Sequence, residues 1–151
     1  ETLRALKPTR FEKKGYNESY ALERSLRHFI DEEMSNFYGS DWHKTRAPKK
    51  LRGRIEKQKS RPDEVSGVIL LDDADVPHYL EIILDDDHWE NVFAPIFECR
   101  QDTQNWLTLF KKLRVSIAHH KGFGKHDFVQ LRSCVSWFTI KVDGDPACDD
   151  Q

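Results

Sequence analysis

The stretch Asn105-Trp-Leu-Thr-Leu-Phe-Lys-Lys-Leu-Arg-Val-Ser-Ile-Ala-His-His-Lys-Gly-Phe-Gly124 constrains the fold more than any other. Trp106, Leu109, Leu113 and Ile117 recur at steps of three, four and four, the spacing of one apolar helix stripe. Gly122 and Gly124 then supply a stop signal. Beside the stripe lie Arg114 and His119, with His120 directly after. A permanent cation and a group that titrates near neutrality, both at a helix end, can work together on a phosphate. The same residues also suit a solvent-facing arginine and a histidine that complements the helix dipole.

The remaining chain is read in the same period. Residues 1–16 carry Pro8 and Gly15 and read as a linker. Asn17 is the expected cap of a long helix with apolar positions Leu22, Leu26, Phe29, Ile30, Met34 and Phe37, closed by Gly39. A basic insertion over residues 44–62 follows, with a short helix expected after Pro48. Val68-Ile-Leu-Leu-Asp-Asp73 has the look of a magnesium-holding strand, but no Gly-x-x-x-x-Gly-Lys-Ser/Thr accompanies it. It suits better a buried lead-in to a helix capped by Asp75, with Pro77 in its first turn and Tyr79, Leu80, Ile82 and Ile83 beyond. Trp89, Val92, Phe93, Ile96 and Phe97 predict a short amphipathic turn broken near Pro95, and Asp102 or Thr103 is the expected start of the central helix. Asp127 is the expected cap of the last helix, paired with Gln130, with Phe128, Leu131, Val135, Phe138 and Val142 as its face. The expectation is an all-α bundle of four to five helices spanning residues 17–142, with the insertion between its first and second main helices. Residues 143–151 read as a disordered acidic tail.

Charge is uneven. From Lys44 to Arg61 there are nine lysines and arginines against the single acid Glu56, in a chain of formal net charge −2. Such a segment can follow a nucleic-acid backbone, or be a solvated loop. Lys49, Lys50, Arg52, Arg54, Lys121 and Lys125 are the candidate phosphate contacts. No aromatic lies among the basic residues of the insertion to stack a base. No run of apolar residues is long enough for a membrane span. A start without methionine or signal peptide reads as a piece of a larger protein that supplies further domains. Cys99, Cys134 and Cys148 lack Cys-x-x-Cys spacing and are expected as reduced thiols in an intracellular setting, cytoplasmic in a bacterium or nuclear in a eukaryote. The seven histidines form no His-Glu-x-x-His pair, and Asp85-Asp-Asp-His88 lacks the glycine and glutamate of a calcium loop. Neither a metal nor another cofactor is expected. Ser116 and Ser133 have no hydrolase elbow around them.

With these features in order, the chain resembles the HEPN superfamily, whose motif is Arg-x4-6-His at the end of a helix in an all-α domain. Ala21 to Met34, then Tyr38-Gly-Ser-Asp-Trp42, Trp89-x-x-Val-Phe93, the central helix and the last helix resemble one subgroup in sequence and order. That subgroup accompanies a nuclear RNA-surveillance endonuclease in yeast and large bacterial ATPase or helicase defence proteins. The resemblance implies that Arg114 and His119 are the catalytic pair of a metal-independent endoribonuclease, acting on RNA in the cleft of a homodimer. The family favours a polar residue after the arginine, and this chain has Val115 there.

Two functions follow from the resemblance. In one, Arg114 and His119, or His120 in its place, cut RNA to a 2′,3′-cyclic phosphate. In the other, a non-catalytic module dimerises or docks on its parent protein and binds nucleic acid, and Val115 favours this one. The surplus of large apolar residues near Trp89, Phe93 and Phe97 adds to the expectation of a dimer. An ideal helix sets Arg114 and His119 about 140° apart, so convergence within one chain needs a loosened helix near Ala118.

Overall fold

A computed structural model describes residues 9–58, 75–119 and 122–144. Every regular element among them is helical, as the all-α expectation requires. In chain order they are α1 (Arg10–Tyr38), α2 (His43–Arg46), α3 (Lys49–Gln58), α4 (Val76–Leu84), α5 (Asp86–His88), a π-helical turn (Trp89–Phe93), α6 (Ala94–Phe97), α7 (Arg100–Ala118) and α8 (Lys125–Asp143). They form two compact units, one from residues up to Leu22 together with those from Asn105 onward, the other from Glu23–Gln104.

α1 starts at Arg10, so Asn17 lies inside it and residues 10–16 are helical instead of linker. The start is set by a reciprocal pair: the Thr9 N–H donates to the Glu12 carboxylate and the Glu12 N–H to the Thr9 hydroxyl, both at 3.2 Å. Gly15, Ser19, Leu22, Leu26, Phe29, Ile30 and Met34 form the buried stripe. Phe37, expected on that stripe, is 55% exposed.

In the Glu23–Gln104 unit, Phe29 packs edge-on against Phe97 with centroids 5.6 Å apart, and Phe93 lies 6.0 Å from Phe29. Phe93 and Phe97, two of the large apolar residues in the surplus that the dimer expectation drew on, are fully buried here and supply core. Burying each ring contributes about 1.5–3 kcal/mol. Asp75 caps α4 as expected, its own N–H bonded to His78 Nδ1 at 3.2 Å. The Asp85–His88 stretch is a helix junction. The Asp85 carboxylate accepts from the Asp87 and His88 N–H groups, Asp86 pairs with Arg100 at 2.8 Å, and Asp87 lies 3.7 Å from Arg46. The expected helix after Pro48 is present as α3, and Leu51 and Ala47, both buried, pin it.

One polar cluster is buried in this unit. Arg27 Nε donates to the Tyr79 hydroxyl at 2.7 Å and its guanidinium lies 3.3 Å from Glu23, while Tyr79 donates to Glu23 at 3.5 Å. Burial raises the Tyr79 pKa well above its ordinary value, which keeps the hydroxyl protonated as a donor. The cluster joins α1 to α4 through side-chain hydrogen bonds.

The other unit has a core of Leu22, Leu107, Phe110, Leu113, Ile117, Phe123, Leu131, Cys134 and Phe138. On α7 the buried stripe is Thr103, Leu107, Phe110, Leu113 and Ile117, one position away from the expected stripe at Trp106 and Leu109. α7 also begins at Arg100, ahead of the expected Asp102 or Thr103. Trp106 instead stacks on Trp137 of α8, with centroids 5.9 Å apart and planes 15° apart. Cys134 takes a core place on α8, and burial pushes its thiol up to about 11.

Tyr79→Phe keeps the ring and deletes the hydroxyl between Arg27 and Glu23. The expected loss is about 1–3 kcal/mol, read as a lower urea midpoint at unchanged slope.

Candidate functional site

The end of α7 sorts its residues by side. Leu113 and Ile117 point into the core, while Arg114 is half-buried, Val115 is 46% exposed, and Ala118 and His119 are exposed. The His119 N–H still bonds to the Val115 carbonyl at 3.0 Å, an i to i−4 bond. The i to i−4 bonding thus runs unbroken to the end of α7 at Ala118, and His119 follows in a turn. His120 and Lys121 lie outside the described residues.

Among the described residues between α7 and α8, one ring is anchored in the core. Gly122 has φ +65°, in the left-handed region that glycine adopts without strain. Phe123 follows and is 2% exposed, its ring seated on Gly15 of α1. The seat exists because position 15 has no Cβ: a methyl group there would overlap the Phe123 ring. α8 then starts at Lys125 with Gly124 as its N-cap. Asp127, expected to be that cap, is the third helical residue. Its carboxylate accepts the Gly124 N–H at 2.9 Å, so it caps from inside the helix.

On the exposed side, the Arg114 guanidinium lies 5.8 Å from the centre of the Tyr16 ring, within cation–π range. Tyr16 and Tyr20 are 53% and 48% exposed. Neither stands among the sequence candidates. Lys125 is exposed in the same unit. An open groove on this unit, lined by Lys14, Asn17, Glu18, Ala21, Phe128 and Arg132, contains no motif residue, and the Glu18–Arg132 ion pair at 2.6 Å crosses it.

The candidate phosphate contacts Lys49, Lys50, Arg52 and Arg54 all belong to α3, in the Glu23–Gln104 unit. Lys49, Lys50 and Arg54 are exposed, and the four-residue step from Lys50 to Arg54 puts those two on one face. Arg52 is half-buried, with its Nε shielded from water. Arg46 is engaged too, its guanidinium 4.0 Å from the centre of the Tyr38 ring.

The histidines divide by burial. His43, His78 and His88 are buried, and His88 Nδ1 donates to the Ile82 carbonyl at 2.7 Å. His28, His119 and His126 are not buried. No cluster of three histidine, cysteine or acidic residues able to hold a metal ion occurs among the described residues. None of their helices is long and apolar enough to cross a membrane.

An all-helical chain whose Arg-x4-His motif emerges at the surface where a core helix ends has the form of a HEPN domain. A family model described as Swt1-like HEPN matches residues 20–140, and the chain belongs to that family. No curated protein and no solved structure matches it.

The Phe123 seat yields a prediction of unusual sign. Glycine to alanine inside a helix ordinarily gains about 1 kcal/mol. Gly15→Ala is expected instead to destabilise by about 1–3 kcal/mol through overpacking. Combination with Phe123→Leu should recover part of that loss in thermal melts.

Proposed function

We propose that this domain is a metal-independent endoribonuclease, or a direct derivative of one, that acts as a dimer with its motifs at a shared cleft. The observation that carries the reading is the Arg114-x4-His119 pair: its helix is fixed by Leu113 and Ile117, while Arg114 is half-buried and His119 exposed. In the proposed reaction the ribose 2′-oxygen attacks phosphorus and the P–O5′ bond breaks, leaving a 2′,3′-cyclic phosphate. Histidine titrates close enough to neutrality to take the 2′-hydroxyl proton or to give one to the departing 5′-oxygen. A guanidinium binds two phosphorane oxygens as charge builds on them. DNA lacks the 2′-hydroxyl and would be spared. Because the two side chains leave the helix about 140° apart, a second copy that brings its own motif to the cleft supplies what one copy leaves out of reach.

A second reading rests on Val115. An exposed valine directly after the motif arginine offers no hydrogen bond to phosphate, and it suits a module that docks or dimerises and binds nucleic acid without cutting it. Under either reading the basic face of α3 would contact RNA phosphates, and the domain would serve a larger RNA-processing or defence protein.

The deciding experiment is incubation with end-labelled RNA in EDTA, with detection of cyclic phosphate ends. Arg114→Ala and His119→Ala should each abolish cleavage, and His119→Ala, at an exposed position, should shift stability by no more than about 0.5 kcal/mol. Ile117→Ala, a buried large-to-small change, should cost roughly 2–5 kcal/mol in melts. Val115→Asn should raise the rate if the missing polar group limits it, and loss only in His120→Ala would move the acid–base role by one residue. Wild-type protein that binds RNA and never cuts it establishes the docking module.

Binding should also weaken with salt. For a single strand the log–log slope is about −0.7 per phosphate neutralised. Lys50→Ala with Arg54→Ala should flatten it by roughly 0.7 for each phosphate that is no longer neutralised. An unchanged slope would mean that this face of α3 is only solvated.

A further inference from the structure

Along the outer face of α1, Lys13, Tyr16 and Tyr20 succeed one another at steps of three and four, which places them on one stripe. All three are exposed, opposite in role to the buried Gly15, Ser19 and Leu22 of the same helix. The two tyrosine rings are nearly parallel, 13° apart, with centroids separated by 6.4 Å. That spacing lies toward the wide end of aromatic pairing, about 4.5–7 Å. Both rings are about half open to water. The Arg114 guanidinium lies 5.8 Å from the Tyr16 ring and joins the pair to the motif.

We propose that Tyr16 and Tyr20 are a stacking platform for an unpaired base of single-stranded RNA, placed so that the strand's phosphate reaches Arg114. The inference rests on the RNA reading of the motif and adds to it a positioning surface. Near-parallel rings present π-faces, which every base can stack on, and the lysine and arginine beside them supply the positive charge that a sugar–phosphate strand needs. A second copy of this chain would gain from the tyrosines but meet Lys13 and Arg114 with its own like charges, so the flanking cations favour the polyanion. Duplex RNA, whose bases are already stacked and paired, would not use the platform.

The test is fluorescence anisotropy of the whole chain with a labelled single-stranded uridine-rich RNA, the same strand carrying abasic sites, and a duplex of equal length. Tyr16→Ala and Tyr20→Ala should each weaken binding of the intact strand on the order of tenfold to a hundredfold. The same variants should leave abasic and duplex binding unchanged. Tyr16→Phe and Tyr20→Phe should retain intact-strand affinity, since the ring is what stacks. Circular dichroism on each variant reports whether α1 is preserved, and the phenylalanine forms keep the test valid if an alanine form unfolds. If wild-type protein binds or cuts single-stranded RNA and the alanine variants do so equally well, the platform is overturned while the RNA reading stands. If wild-type protein neither binds nor cuts any RNA, both fall. A change of molecular mass by light scattering in Tyr16→Ala or Tyr20→Ala, with RNA affinity unaltered, would overturn the platform and make this face a contact between copies.

Discussion

The seating of the Phe123 ring on Gly15 ties the lead-in of α8 to the first turns of α1. Helix α7 by itself fixes only the direction in which Leu113 and Ile117 enter the core. Of residues 122–124, which lead into α8, Phe123 is the one fully buried side chain. Its ring fits because α1 has no side chain at position 15. Everything around it then follows from short-range chemistry: a left-handed Gly122, a Gly124 N–H taken by Asp127, and an Arg114 held near Tyr16 on the outer side.

The same ring explains what the sequence pattern could and could not reveal. Steps of three and four marked the long helices and the all-α class, because one buried stripe is enough to produce that period. Leu22 to Met34 were legible for this reason. The start of α1 was not, since its buried positions there are Gly15 and Ser19, which carry no apolar signal. On α7 the period was legible and the phase was not. Trp106 and Leu109 sit beside a stripe made of Thr103, Leu107 and Phe110, and hydrophobicity alone cannot tell a core residue from a tryptophan that stacks on Trp137. Asp127 was legible as a capping residue but not as one that caps from the third position.

The positions of the candidate site residues were legible to the extent that they depend on the local chain. Arg114 and His119 could be picked out because a helix end can be read from Gly122 and Gly124. The basic residues of α3 could be counted, but not their sorting: Lys50 and Arg54 face water, whereas Arg52 is drawn toward the side that Leu51 anchors. Tyr16 and Tyr20 depend on a helix whose beginning the pattern hides. A search for aromatic and basic residues at steps of three and four, made without regard to apolar stripes, would have found Lys13, Tyr16 and Tyr20 together.

The π-helical turn at Trp89–Phe93 has a consequence for how chains of this kind can diverge. Its closing bond runs from the Ala94 N–H to the Trp89 carbonyl, five residues back, so the turn holds one residue more than an α-turn of the same rise. Pro95 comes directly after, at the first turn of α6, where a missing N–H is tolerated. A surplus residue at that place is a length difference absorbed locally, without rotating Phe97 out of the core or shifting α7. Removing one residue there would tighten the turn to the ordinary pitch and keep both flanks in phase. Chain length is therefore negotiable at this turn, and much less so at Gly15, where the room for one ring is fixed by the absence of one carbon.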